Sequence, residues 1–263
     1  MIAFLIIGTA DPYNHEDGAF AEHITAKGDL QIKLADNVSF EEGATLGVGI
    51  TTVGQALYSS LGLPLPPATV QEPTTLLIYG GSTATGTLAI QYAKLSGLTV
   101  VVTASPRNFD FLKSLGADHV FDYKDPGCGA KIRAATDDKL KLAFDTISEH
   151  GSWDVCCAAL SSEGGHYTAL LPVKDFPRSD VKNTTTLAYT ALGEKFNEQL
   201  PAIPPHFAFG VKWWRLSEGL INDGKIKTHP IEVRDGGLDG IPKGLEDVKN
   251  GKVSGVKLVY KVE

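Results

Sequence analysis

Between Thr75 and Thr190 the chain repeats one pattern, and few folds accept it. Short runs rich in β-branched and apolar residues read as strands: "TLLIYGG" (75–81), "LTVVVTAS" (98–105), "HVFDYK" (119–124), "KLAFDTI" (141–147), "GHYTALLP" (165–172) and "NTTTLAYT" (183–190). Helix-like stretches lie between them. "TATGTLAIQYAKLSG" (83–97) closes on Gly97, and "NFDFLKSLGA" (108–117) runs from Asn108 as N-cap to Gly116. Further helices are expected over 128–136 and 152–160. Strands that are apolar along their whole length need cover on both faces, which a parallel sheet between two layers of helices supplies. The fold class is α/β, a doubly wound parallel sheet.

The flanks follow another rhythm. Residues 1–74 are short apolar pieces, "MIAFLII", "GAFAEHITAK" and "LQIKLAD", and then one helical segment. That segment starts at Ser39 as N-cap with Glu41 and Glu42 in its first turn, and runs through "ATLGVGITTVGQALYSSLG" to Gly62. Pro64, Pro66 and Pro67 form a stiff connector. After Pro205 an amphipathic helix, "FGVKWWRLSEGLINDGKI", places Trp213 or Trp214 with Leu216, Leu220 and Ile221 on its packed side. A helix and an alternating strand end the chain. The expected division is a remnant of a β-rich domain over 1–50, the parallel-sheet domain over 51–205, and over 206–263 a helix and strand returning to the β-rich part.

Charge and cysteine content narrow the classes of function. Twenty-four basic against 31 acidic residues leave a net charge of −7, with no basic run, so neither nucleic acid nor an anionic membrane is an expected partner. Cys128, Cys156 and Cys157 lack the paired spacing of a zinc site, so no metal is expected, and reduced thiols point to the cytoplasm. The opening "MIAFLIIGT" is too short for a signal peptide or a membrane span and reads as a buried strand.

The chemistry concentrates at the first strand-to-helix turn. In "IYGGSTATGTLAIQ" (78–91), Gly80, Thr83 and Gly86 follow a G-x-x-G-x-x-G spacing with threonine at the middle position. Such a turn lets backbone amides and a helix start approach a diphosphate, as in a Rossmann unit. A second contact is expected at the end of the next strand, where an acid selects an unphosphorylated ribose. Here "SPRN" (105–108) offers Ser105 and Arg107, a hydroxyl and a guanidinium suited to a 2′-phosphate, which favours NADP over NAD. Tyr123, ending the third strand, is placed to lie near the adenine. His166 reads as a packed strand residue, not a proton donor.

The motifs "EDGAFAEH", "FEEGATLGVGITTVGQALY", "YGGSTATGTLAIQYAKLSG", "ASPRNFDFLKSLGADHVFDY" and "GKVSGVKLVY" together resemble the zinc-independent medium-chain dehydrogenase/reductase superfamily. Within it they are most similar to the fungal trans-acting enoyl reductases of polyketide biosynthesis. The resemblance implies a partial β-rich, GroES-like domain beside the Rossmann sheet. It also implies reduction of an α,β-unsaturated thioester by NADPH, with a polyketide synthase or its carrier-bound substrate as partner and the chain as a monomer. It places Ser82, Thr83, Ala84 and Thr85 in the pyrophosphate loop, and Ser105, Pro106, Arg107 and Asn108 in the 2′-phosphate loop. Tyr123 falls on the adenine side, Leu170 and Leu171 beside the nicotinamide, and Ser254 and Gly255 at a C-terminal cofactor contact. Thr51, Thr52, Tyr189 and Thr190 fall in segments lining a substrate cleft. Residues 1–50 match the end of a longer β-rich domain, whose earlier part would contribute a cleft wall and a lysine near the cofactor. No catalytic residue stands out. A non-redox isomerase or cyclase, or a cofactor-binding accessory protein without reductase activity, stays open as an alternative.

Overall fold

The computed structural model describes residues 2–4 and 18–262. The backbone divides into two compact units, Met1–Thr51 with Ala188–Glu263, and Thr52–Leu187.

In the first unit β1 (Ile2–Phe4) pairs antiparallel with β2 (Gln31–Lys33), so the opening apolar run does contain a strand. The rest of that run, Leu5 onward, lies outside the described residues. Ser39 caps α1 (Phe40–Gly43) as its sequence demands. The Ser39 hydroxyl accepts the Glu42 N–H at 3.2 Å, and the Glu42 carboxylate accepts the Ser39 N–H at 2.8 Å. The helix read as continuous to Gly62 is broken after α1, where Thr45 turns its hydroxyl onto the Glu42 carbonyl at 2.8 Å. It resumes as α2 (Gly47–Gly54) and widens into a π-helical turn over Gln55–Ser60. Gly62, at φ +72°, ends it.

The second unit realises the alternation. Its elements are β3 (Thr75–Tyr79), α3 (Ala84–Leu95), β4 (Thr99–Ala104), α4 (Phe109–Ser114), β5 (His119–Asp122), α5 (Cys128–Ala135), β6 (Leu142–Asp145), α6 (Ser152–Ala159), β7 (Gly165–Ala169) and β8 (Val181–Thr185). All six strands run parallel in the order β5-β4-β3-β6-β7-β8, so the winding reverses between β3 and β6. Leu76, Leu77, Ile78 and Val100–Val102 are buried on both sides of the sheet, the burial that wholly apolar strands require. Cys128, Cys156 and Cys157 are free and buried, the first two in this core, and burial pushes the thiols of Cys128 and Cys157 up to about 11.

The sixth strand is shorter than its sequence suggests. It pairs with β7 only as far as Ala169 opposite Thr185, and Ala188–Leu192 forms a 3-10 turn instead. A strand lasts as long as its neighbour supplies partners, and β7 ends at Ala169.

The remainder of the first unit holds α7 (Pro204–Asn222), β9 (Ile231–Arg234), α8 (Gly237–Lys249) and β10 (Lys257–Tyr260), which pairs parallel with β9. Both tryptophans of α7 are fully buried, not one of them. Each finds an acceptor on α2: the Trp213 indole N–H donates to the Ile50 carbonyl at 2.8 Å, and that of Trp214 to the Thr51 hydroxyl at 3.0 Å. Satisfied indoles let both rings leave water.

Candidate functional site at the carboxyl edge of the sheet

Beyond Tyr79 the chain reverses through Gly80 at φ +82°, a conformation that strains any residue with a Cβ. The reversal is fastened to β4: the Gly80 N–H donates to Thr103 Oγ1 at 3.1 Å and the Gly81 N–H to the Thr103 carbonyl at 2.9 Å. Thr83 then caps α3, its hydroxyl accepting the Gly86 N–H at 2.8 Å. The same hydroxyl lies 3.0 Å from Thr146 Oγ1, which reaches the carbonyls of Tyr79 and Gly80 at 2.8 and 3.0 Å. Gly86 is required by contact. A Cβ there would stand 2.4 Å from the Gly80 carbonyl oxygen and 2.8 Å from that of Gly81. The first turn of a helix leaves amides without intrahelical acceptors, and Thr83 answers only that of Gly86. The amides of Ala84 and Thr85 therefore remain for an anion, at the positive end of a helix of twelve residues. Ser82, Thr83, Ala84 and Thr85 are all half-buried, open enough to be reached.

The turn after β4 is looser. Ser105 keeps an extended backbone, and Pro106, Arg107 and Asn108 form one 3-10 turn leading into α4. Asn108 does not act as the N-cap expected of it: its backbone is already helical and its side chain makes no cap bond. Pro106, with φ fixed near helical values, starts the turn earlier and leaves the extended, capping geometry to Ser105. The Asn108 carboxamide nitrogen is shielded from water and, among the described residues, has no hydrogen-bond partner. Arg107 is exposed and, among the described residues, makes no ion pair. Tyr123, just past β5, turns its ring edge-on to Tyr79 with centroids 6.3 Å apart, beside the end of β3.

The turn after β6 carries side chains that no sequence motif marks. Asp145 is fully buried, and its carboxylate accepts the backbone N–H groups of Ile147 and Ser148 and the hydroxyls of Ser152 and Tyr167. Ser148 accepts the Leu170 N–H on its hydroxyl at 2.9 Å. Leu170 is half-buried and Leu171 exposed at the end of β7. His166 is a packed strand residue, its Nε2 3.0 Å from the Thr184 hydroxyl, and burial lowers its pKa so that the ring is neutral.

These turns, with Ser105–Asn108, Tyr123 and Leu170–Leu171, share the carboxyl edge of one sheet, on both sides of the reversal between β3 and β6. Open α/β sheets bind their ligands at that point. The glycine contact under α3 and the free amides at its start fit the diphosphate of a dinucleotide. The other expected residues are placed differently. Ser254 is exposed, and Gly255 has φ +70°, in the loop between α8 and β10 of the first unit. Thr51 is buried and accepts from Trp214, and Thr52 is buried. The Thr190 hydroxyl lies 2.7 Å from His206 Nδ1, and Tyr189 meets Phe196 edge-on at 5.7 Å. Among the described residues, no group of three or more His, Cys, Asp or Glu side chains gathers in a way that could hold a metal ion. No described helix is long and apolar enough to cross a membrane.

Comparison with known proteins agrees with this fold. The family model "Zinc-binding dehydrogenase" matches residues 84–170, from the start of α3 to the end of β7. The trans-enoyl reductase ACTTS2 of Alternaria alternata is 64% identical over 252 residues, 96% of this chain and 74% of that protein. The trans-enoyl reductase resD of Aspergillus sclerotiorum is 46% identical, covering 94% of this chain and 74% of its own length. Among solved structures, the CurK enoyl reductase superposes with a TM-score of 0.71 at 20% identity, over 89% of this chain and 66% of its own, a likeness of fold. By that identity and that sheet, the chain belongs to the zinc-independent fungal trans-enoyl reductases of the medium-chain dehydrogenase/reductase superfamily.

Proposed function

We propose that the protein reduces the carbon–carbon double bond of an α,β-unsaturated polyketide thioester, using NADPH, while the substrate is carried by a separate synthase. What supports this reading is the turn at the start of α3, whose Ala84 and Thr85 amides stay open at the reversal point of the sheet, with a guanidinium at the next turn that makes no ion pair among the described residues. Relatives named as trans-enoyl reductases, with 64% identity in one case, support the reaction class.

When bound, NADPH supplies a hydride to the β-carbon of the enoyl group. Backbone amides of Ala84 and Thr85, with Ser82 and Thr83 around them, hold the diphosphate. Ser105 and Arg107 take the 2′-phosphate by charge-assisted hydrogen bonds, with Pro106 shaping the turn and Asn108 adding a donor. Tyr123 lies against the adenine side and Leu170–Leu171 against the nicotinamide, where apolar side chains keep water from the transferring hydride. Ser254 and Gly255 keep the cofactor contact that family resemblance gives them, and Thr51, Thr52, Tyr189 and Thr190 the substrate side. Hydride addition at the β-carbon would push the double-bond electrons onto the thioester oxygen, which backbone donors would stabilise. The resulting enolate takes a proton at the α-carbon.

The test is turnover. The purified chain, given an α,β-unsaturated acyl thioester, should consume one NADPH for each saturated thioester formed, and should use NADH poorly. Conversion of the substrate without NADPH consumption would replace this reading with an isomerase or cyclase. Tight NADPH binding with no turnover of any enoyl thioester would leave a binding role only.

A further inference from the structure

Asp145 stands at the centre of the sheet's carboxyl edge. In register it lies opposite Tyr79 of β3 on one side and Ala169 of β7 on the other. Its contacts divide by oxygen. Oδ1 accepts the N–H groups of Ile147 and Ser148, each at 2.9 Å, and Oδ2 accepts the hydroxyls of Ser152 and Tyr167. Burial and the neighbouring carboxylate push the Tyr167 phenol far up, so it remains a donor. Four donors on one buried carboxylate hold it in a single orientation. The pair on Oδ1 also keeps Ser148 at φ +61°, where a residue with a Cβ is rarely found.

Two arms leave this brace. Thr146, the next residue, fastens the turn after β3 through the carbonyls of Tyr79 and Gly80 and the hydroxyl of Thr83. Ser148 fastens the end of β7 by accepting the Leu170 N–H. In a sheet of this strand order a dinucleotide lies across the reversal, with one nucleotide on each side. The adenosine half belongs over β3, β4 and β5, which leaves β6 and β7 for the nicotinamide half.

We infer that Asp145 is a positioning residue that sets the spacing between the diphosphate turn and the strand end beside the nicotinamide, and that Ser148 is the arm through which it acts on the second of these. The inference rests on the dinucleotide reading above. It makes Asp145 and Ser148 determinants of how well the two halves of one ligand are bound together, not of either half alone.

Calorimetric titration of the full chain with two ligands tests this: NADPH, and 2′-phosphoadenosine diphosphate ribose, which lacks only the nicotinamide. Ser148→Gly removes the hydroxyl but suits the left-handed backbone, so the variant keeps its fold. It should bind NADPH about tenfold more weakly, as loss of one hydrogen-bonded contact implies, and the fragment within about twofold of the unaltered chain. Thr146→Val should weaken both ligands by a similar factor. Tyr167→Phe removes a donor from the same carboxylate without touching either arm. It should lower the melting temperature and, by loosening the carboxylate, weaken NADPH more than the fragment, though by less than Ser148→Gly does. Equal loss of both ligands in Ser148→Gly, or no loss, overturns the inference, as does an unchanged ratio in Tyr167→Phe. Failure of the unaltered chain to bind either ligand overturns the dinucleotide reading itself.

Discussion

The turns after β3 and β4 serve one ligand in our reading, yet they are built in opposite ways. After β3 the side chains are satisfied and the backbone is close, with only the amides of Ala84 and Thr85 left open: Thr83 caps α3, Thr103 takes two amides of the turn, and Gly86 leaves no room for a side chain. After β4 the residues are exposed or half-buried, the guanidinium of Arg107 has no ion pair among the described residues, and the Asn108 carboxamide is unanswered. The first turn presents backbone amides, which every dinucleotide engages through its diphosphate. The second presents side chains, which engage only what a particular ribose carries. Rigid backbone gives affinity for the class, and unsatisfied side chains choose within it.

The largest effect should come from the rigid turn. Gly86→Val puts branched carbon where the oxygens of Gly80 and Gly81 already sit, 2.4 and 2.8 Å from the first added atom. Helix α3 must then back away from β3, at an overpacking cost of about 1–3 kcal/mol, seen as a lower melting temperature. The free amides move with it. Affinity for NADPH and NADH should fall together, each by about a hundredfold or more, since the shared diphosphate contact is lost. A Gly86→Val chain with near-normal affinity for either would remove the turn after β3 from the site and erase the contrast.

Arg107→Ala should act next in size and in a different way. A guanidinium bonded to a phosphate is a charged hydrogen-bond contact of about 1.5–3 kcal/mol, so NADPH should weaken by roughly tenfold to a hundredfold. NADH, which has no 2′-phosphate, should be little changed, and so should the melting temperature, because Arg107 is exposed. Equal weakening of both dinucleotides would make Arg107 a general electrostatic aid and not a selector. Raised ionic strength should mimic the substitution for NADPH only.

The same contrast explains what the sequence disclosed. Apolar strands and glycine spacing are local signals, so the alternation and the tight turn at Gly80–Gly86 were legible in the sequence. Ser39 was legible too, because a capping box spans only four residues. Asn108 was misread because Pro106 begins the helical turn earlier, and a cap residue must still be extended. Tyr189 and Thr190 were misread as strand because β8 has no partner beyond Ala169. The brace at Asp145 was illegible for a different reason. Tyr167 and Leu170 meet the turn after β6 only through the register of β6 with β7, and that pairing leaves no short motif.

Asn108 offers the smallest effect and the finest division between the two turns. A buried donor without an acceptor destabilises the free protein by about 1–3 kcal/mol, and an apolar group of the same shape removes that penalty. Asn108→Leu keeps the shape, so the free chain should melt at a slightly higher temperature, by an amount worth up to about 1 kcal/mol. If the carboxamide is held in readiness for the phosphorylated ribose, the same change should weaken NADPH a fewfold, by about the value of one neutral hydrogen bond, and leave NADH alone. Stability and affinity would then move in opposite directions at this turn, whereas at Gly86 they fall together. Melting curves with and without each dinucleotide measure both quantities in one experiment. A variant that is less stable and binds NADPH as before would show the Asn108 side chain to be packing, and Ser105 and Arg107 would be left to choose the ribose without it.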